Sequence, residues 1–175
     1  MSSFQNLYRA YGILLRGFGW IAAVATFAMM LLVVANILGR YLINKPVAGT
    51  LEITESLLVL IIFLSLGLTQ YDGGHIRVTL LTRRLPPAHA RIATVLSMLI
   101  GAAFFAWCAY AAWNFALQSY SFNEYEWGTV VFPLYPVKFV VFLGILLLAI
   151  QFLFDAIAEI IMPIAADDER AQEKL

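Results

Sequence analysis

The sequence has 175 residues, of which 62% are hydrophobic and only 13% are charged. Soluble domains average about 45–50% apolar and about 25% charged residues, so this composition predicts a membrane-embedded protein. Basic and acidic residues balance at 11 each, which gives no reason to expect a nucleic-acid partner. The single cysteine, Cys108, cannot form an internal disulfide or a metal site by itself.

The first predicted element precedes the first long apolar run. Aromatic and aliphatic side chains recur at helical spacing over residues 4–16, with Arg9 and Arg16 on other faces. This pattern predicts a short amphipathic helix lying in the membrane interface, or alternatively a cytoplasmic extension of the first span. We interpret the following run as an uncleaved span, because it continues to Leu38, beyond the signal-peptide core of about 7–15 residues.

Two membrane spans flank a polar hairpin. Span one, residues 17–38, contains no charge and is as long as a membrane helix requires. It ends next to Arg40, a position from which a long cationic side chain can extend its charge to the membrane surface. Span two, residues 53–70, begins beside Glu52 and Glu55, which share one helical face at a spacing of three. The helix dipole alone is sufficient to account for both glutamates.

The distribution of arginines predicts the orientation. Four arginines lie between spans two and three, whereas the loop of residues 118–132 has no Lys or Arg and carries Glu124 and Glu126. Cytoplasmic loops are enriched in Lys and Arg. The arginine-rich loop and both chain termini are therefore predicted to be cytoplasmic. The hairpin with Arg40 and Glu55 is predicted to be periplasmic.

The remaining two spans complete a single membrane domain over residues 1–175. Span three, residues 92–117, carries small residues at steps of three and four: Ala102, Ala106, Ala109, Ala112 and Ala116. Small residues let helix backbones approach closely, so this stripe predicts a packing seam. Span four, residues 133–161, opens with prolines at positions that a first helical turn tolerates. The predicted fold is all-α, with four transmembrane helices.

The spans lack residues that transport or catalysis would require. No charge lies mid-span and no Gly or Pro interrupts a span centre, so these helices are not expected to form a substrate path alone. No nucleophile elbow, CxxC pair or HExxH motif occurs, and we predict no catalytic, cofactor or metal site. A membrane haem would need paired histidines within helices, whereas His75 and His89 fall in one loop. A membrane redox subunit and a free-standing membrane adaptor stay as alternatives.

Several short motifs follow one another in an order that resembles one protein family. They are Asn36-Ile-Leu-Gly-Arg40-Tyr41, Asn44-Lys-Pro-Val47, Gly49-Thr-Leu-Glu-Ile-Thr-Glu55, Gly73-Gly-His-Ile-Arg-Val78, Leu85-Pro-Pro87 and Pro133-Leu-Tyr-Pro136. Together with the four-span layout, they resemble the small membrane subunit of tripartite ATP-independent periplasmic (TRAP) transporters, the DctQ-like family. The resemblance covers about residues 20–160, nearly the whole chain.

The resemblance implies a division of labour among three proteins. A periplasmic binding protein captures an organic anion, such as a carboxylate. A large membrane subunit carries this substrate with sodium through an elevator-like movement. The small subunit packs beside the large subunit and among membrane lipids, as a static scaffold in the bacterial inner membrane.

Two sets of residues are predicted to contact these partners, and a third forms a cytoplasmic loop motif. The partner-interface candidates are Arg40, Glu52, Glu55 and the five alanines of span three. The cytoplasmic-loop motif consists of Gly73, Gly74, His75 and Arg77.

Overall fold

Four long helices account for most of the described protein. The computed structural model describes residues 2–73, 86–126, 128 and 130–161. The helices are α1 (Ser2–Leu42), α2 (Thr50–Tyr71), α3 (Pro87–Ser121) and α4 (Tyr135–Ile161). Each is long and apolar enough to cross a membrane, which confirms the predicted all-α fold with four transmembrane helices.

Helix α1 decides between the two alternatives for residues 4–16. Its 41 residues form one continuous helix, so these residues extend the first span and do not form a separate interfacial helix. At 1.5 Å per residue α1 is about 60 Å long, roughly twice the thickness of the hydrocarbon core. Part of the apolar face that suggested an interfacial helix packs instead on the bundle, where Leu15 is fully buried and Tyr8 and Tyr11 contact α4.

Helix α4 is the central helix of the bundle. The main contacts join α1 to α2, α2 to α4 and α4 to α3, and a larger share of α4 is buried than of the other spans. Gly144 of α4 lies against the backbone of Phe63 in α2, where a β-carbon would collide with the carbonyl oxygen. Membrane helices associate closely where such small residues meet. The α2–α4 contact therefore depends on the missing side chain at position 144.

Contacts with α4 define two ends of the bundle. Tyr8 of α1 and Gln70 of α2 contact Asp155, and Arg91 of α3 contacts the carbonyl of Glu159. The start of α1, the end of α2, the start of α3 and the end of α4 therefore lie together, and we call this the terminal end. The opposite end, the hairpin end, carries the α1–α2 connection of residues 43–49 and the α3–α4 connection of residues 122–134.

The α3–α4 connection contains a strand pair that the sequence analysis did not predict. Strands β1 (Tyr125–Glu126) and β2 (Phe132–Pro133) pair in antiparallel orientation. Pro133, predicted to open the last span, lies in β2, and α4 begins at Tyr135. The backbone N–H of Leu134 donates to the carbonyl of Glu124 at 3.0 Å. Because of this hydrogen bond, residue 134 belongs to the connection, and α4 begins one residue later.

Candidate functional site

At the hairpin end, one side chain of α1 holds the α1–α2 connection. Asn36 Oδ1 accepts a hydrogen bond from the backbone N–H of Val47 at 3.0 Å. The carbonyl of Gly39 accepts the N–H of Lys45 at 2.9 Å, and Asn44 adopts a left-handed conformation with φ of 54°. Short polar residues tolerate this conformation in turns. Asn36, the strongly polar residue of span one, therefore positions this connection.

Glu52 lies beneath the α3–α4 connection, in the first turn of α2. The residue is 3% exposed, and its Oε1 accepts the backbone N–H of Val130 at 3.5 Å. Gly128 passes directly over the carboxylate, where a β-carbon would overlap Glu52 Oε1. A carboxylate near a helix N-terminus interacts favourably with the helix dipole, which offsets part of the cost of its burial. Glu52 is therefore a contact between α2 and the connection.

Two glutamates of the same connection lie in opposite electrostatic environments. Partial burial raises the pKa of Glu126 above its ordinary range, and the neighbouring Glu55, which shares a hydrogen bond with it, raises the pKa further. The ammonium group of Lys138 donates to Glu124 and holds the pKa of that carboxyl below its ordinary range. The connection is thus joined to α2 by a bond that needs a proton and to α4 by an ion pair that needs an ionised carboxylate.

Arg40 lies at the hairpin end together with Glu52 and Glu55, as the sequence predicts. Arg40 is exposed, and within the described part of the chain no ion pair joins it to Glu52 or Glu55. Glu52 is buried inside the chain, and Glu55 lies exposed beside Glu126. Contacts of these three predicted residues with a partner protein stay a prediction.

The alanine stripe of α3 lies partly on the face that packs against α4. Ala102 and Ala109 are 3% exposed and Ala116 is 0% exposed. Ala112 is half-buried, and Ala106 is exposed. The three buried alanines are spaced by seven residues, which returns them to the same side of the helix after about two turns. A role of the stripe in contacts with another protein stays a prediction.

The cytoplasmic-loop motif is described only at its first residue. Gly73 follows the end of α2 with φ of 73°, a left-handed conformation that glycine adopts without strain. Its N–H donates to the carbonyl of Gln70 at 3.0 Å, which closes the last turn. Gly74, His75 and Arg77 lie outside the described residues.

At the terminal end, a polar cluster that sequence reasoning missed joins three helices. We call it the Asp155 junction; it consists of Tyr8 of α1, Gln70 of α2, and Gln151 and Asp155 of α4. Gln70 Nε2 donates to Asp155 Oδ2 at 2.6 Å, and Gln151 Nε2 donates to Oδ1 at 2.6 Å. The hydroxyl of Tyr8 donates to Oδ1 at 3.3 Å. The available signal was the spacing of Gln151 and Asp155, one helical turn apart in a mostly apolar span.

Aromatic rings surround the Asp155 junction. Tyr8 stacks on Tyr71 of α2 with ring centroids 5.2 Å apart, and Tyr11 contacts Phe154 of α4 at 5.0 Å. The Tyr11 hydroxyl donates to the carbonyl of Leu147 at 2.6 Å. Rings with one polar edge suit the boundary between membrane and water. The terminal end therefore combines an interfacial aromatic layer with buried hydrogen bonds.

Helix α3 reaches the terminal end through one cation. Arg91 Nη2 donates to the carbonyls of Glu159 and Ile160 at 3.2 and 2.7 Å. The last carbonyls of a helix have no partner within it and attract cations, so Arg91 caps α4. Among the described residues, no three His, Cys, Asp or Glu side chains group closely enough to hold a metal ion.

Two comparisons with known proteins each match more than two thirds of the chain. A family model for the DctQ component of tripartite ATP-independent periplasmic transporters matches residues 29–161, which include α2, α3 and α4. The chain is also similar to the ectoine TRAP transporter small permease protein TeaB of Halomonas elongata, with 28% identity over 141 residues. That alignment covers 78% of this chain and 70% of TeaB. The chain therefore belongs to the DctQ family and is a small permease subunit of a TRAP transporter, a multi-pass protein of the bacterial inner membrane.

Proposed function

We propose that the chain is the static scaffold of a sodium-coupled TRAP transporter that takes up an organic anion, such as a carboxylate. In this proposal, the large membrane subunit carries the substrate and sodium, and a periplasmic binding protein delivers the substrate. The chain packs beside the large subunit and contributes no residue to the substrate path. The observation that carries the proposal is the match to the DctQ family over residues 29–161.

The positions of the polar contacts support a scaffold role. The Asp155 junction lies at the terminal end, and the contacts of Glu52 and Glu126 lie at the hairpin end. Between the ends, the helices meet through small residues such as Gly144 and Ala109. A transport path normally places ionisable groups and broken helices near the middle of the membrane. The helices of the described ranges run unbroken through that region.

The proposal places the terminal end in the cytoplasm and the hairpin end in the periplasm, because the arginine-rich loop adjoins the terminal end. Reporter fusions check this orientation. A reporter joined after Ala88 should give a cytoplasmic signal, and one joined after Asn123 should give a periplasmic signal. A periplasmic signal after Ala88 would overturn the orientation.

Uptake into reconstituted vesicles tests the function. Vesicles containing this chain and the large subunit, with the binding protein added outside, should accumulate substrate only when a sodium gradient is present. C4-dicarboxylates and keto acids are the first candidates, and ectoine, the solute in the name of TeaB, is tested beside them as a zwitterion that also carries a carboxylate. Vesicles lacking this chain should lose uptake. Equal uptake without the chain would contradict the proposed role.

A cross-link within the chain tests whether the scaffold is static. Phe105 of α3 and Phe152 of α4 stack with ring centroids 5.5 Å apart, so cysteines at both positions can be joined by a short thiol cross-linker. We expect uptake after cross-linking to stay near that of the same variant without cross-linker. A loss of uptake that depends on the cross-link would show that α3 and α4 move during transport.

A further inference from the structure

One carboxylate is the common acceptor of the Asp155 junction. Both of its oxygens accept hydrogen bonds, and the donors come from α1, from α2 and from α4 itself. An ionised carboxylate accepts hydrogen bonds and donates none. Tyr8 and Gln70 therefore both depend on Asp155, although they lie 147 and 85 residues away from it in the sequence.

The orientation of both glutamine amides follows from this carboxylate. Gln151 is fully buried and Gln70 is 9% exposed, and the amide oxygens of both find no donor among the described residues. Each amide is bonded to Asp155 through its nitrogen at 2.6 Å. Rotation of either amide would direct its oxygen against the carboxylate, with repulsion in place of a charge-assisted bond. The carboxylate thus selects one arrangement of both side chains.

Helix α3 is attached to α4 without the Asp155 junction. Phe105 stacks on Phe152. A β-carbon at Gly101 would lie 3.1 Å from the Phe152 ring, so the two helices are close there, and Ala109 is buried. Arg91 binds the last carbonyls of α4. The contacts of α3 are therefore independent of Tyr8 and Gln70.

We propose that Asp155 is a positioning residue that holds α1 and α2 on α4 at the terminal end, and that α3 does not depend on it. Polar side chains hydrogen-bond across membrane helices, and water replaces a lost partner poorly where the donors, the amides of Gln70 and Gln151, are buried. Removal of the carboxylate takes the acceptor from Tyr8 and Gln70 and leaves Gln151 only the Tyr8 hydroxyl, at 3.4 Å. The effect should be confined to the α1–α4 and α2–α4 contacts.

Two cysteine pairs report separately on the two parts of the bundle. In a Cys108→Ala background, one pair replaces Phe4 and Phe154, whose rings lie 6.2 Å apart between α1 and α4. The other pair replaces Phe105 and Phe152, between α3 and α4. The initial rate of cross-linking by a short thiol reagent is measured in membranes, with the full chain in complex with the large subunit.

We expect Asp155→Leu to lower the rate at the α1–α4 pair about tenfold and to leave the α3–α4 pair unchanged. Asp155→Asn, which keeps one oxygen acceptor, should give an intermediate rate at the α1–α4 pair. Glu159→Gln is the matched control, because Glu159 is also buried in α4 but lies outside the junction. It should change neither rate.

Two results would overturn the proposal. An unchanged rate at the α1–α4 pair in Asp155→Leu would show that other contacts hold α1 on α4 without the carboxylate. Equal losses at both pairs would show that Asp155 supports the whole bundle and has no selective role for α1 and α2.

Discussion

The terminal end and the hairpin end of the bundle are held by different kinds of contact. At the terminal end the helices touch one another directly, through stacked rings and the partly buried Asp155 junction. At the hairpin end the connections make the contacts, with Val130 bonded to Glu52 and Glu126 bonded to Glu55. The terminal end therefore depends mainly on shape and buried hydrogen bonds. The hairpin end depends in addition on the protonation of carboxyl groups near water.

The largest expected effect is at the terminal end, from extra bulk on α1. A β-carbon at Gly12 would lie 2.5 Å from Cζ of Tyr71, so Gly12→Leu must displace a ring that stacks on Tyr8. Overpacking of this kind typically costs about 1–3 kcal/mol. We expect a lower midpoint of thermal unfolding for the detergent-purified chain, followed by tryptophan fluorescence.

Gly17 on the same helix provides the control for Gly12. A β-carbon at Gly17 meets nothing within 4 Å, so Gly17→Leu should leave the unfolding midpoint close to that of the parent chain. If both substitutions lowered the midpoint equally, loss of glycine itself and not the contact with Tyr71 would be responsible.

A smaller effect is expected at the hairpin end, from pH. Because the pKa of Glu126 is raised in the folded chain, its contribution to docking of the connection is present below the ordinary glutamate pKa and is lost as pH rises through the raised value. We expect Val130→Cys to react faster with a maleimide as pH increases. Each rate is first divided by the rate of a free thiol at the same pH, which removes the effect of thiolate formation. Glu126→Gln removes the titrating carboxyl and should flatten the remaining pH dependence.

Glu124 should show the opposite sign. The pKa of Glu124 is lowered by the hydrogen bond from Lys138, so its contribution is present above the ordinary glutamate pKa and disappears as pH falls through the lowered value. Lys138→Met should therefore loosen the connection at neutral pH and change it little in strong acid, as followed by the mobility of a nitroxide attached beforehand, at neutral pH, to Val130→Cys. A pH profile identical to that of the parent would show that this ion pair does not hold the connection.

The smallest effect on stability is expected from Arg40→Ala. Arg40 is exposed and forms no ion pair with the described residues, so the free energy of unfolding should change by less than about 0.5 kcal/mol. If Arg40 contacts a partner, uptake and the recovery of the large subunit should nevertheless fall, with ligand affinity of the isolated binding protein unchanged. Uptake and subunit stoichiometry at parent levels would leave Arg40 as a lipid-facing cation.

Helix number and type could be predicted from the sequence because hydropathy is a local property. Each predicted span lies within one helix, apart from the two residues before Tyr135. The sequence did not decide whether residues 4–16 continue α1, because their apolar face suits a membrane surface and a protein surface equally. Only the packing of Leu15 and its neighbours on the bundle distinguishes them.

The contacts of the candidate site could be predicted only in part. Glu52 was recognised from its position at a helix start, but its burial depends on a connection more than 70 residues later. The Asp155 junction needs α1, α2 and α4 together, and no local pattern pairs Tyr8 with Asp155. Contacts of this kind follow from tertiary geometry, which local sequence patterns do not specify.

The order in which the helices pack has a consequence for synthesis in the membrane. Helices α1 and α2 are neighbours in the chain and in the bundle, so their hairpin can form as soon as both have been inserted. Helix α3 packs chiefly on α4, which is synthesised after the other three described helices. The buried alanines of α3 therefore have no α4 partner until α4 has been synthesised and inserted. A chain that stops before Tyr135 would keep three hydrophobic helices and lose the one that joins them.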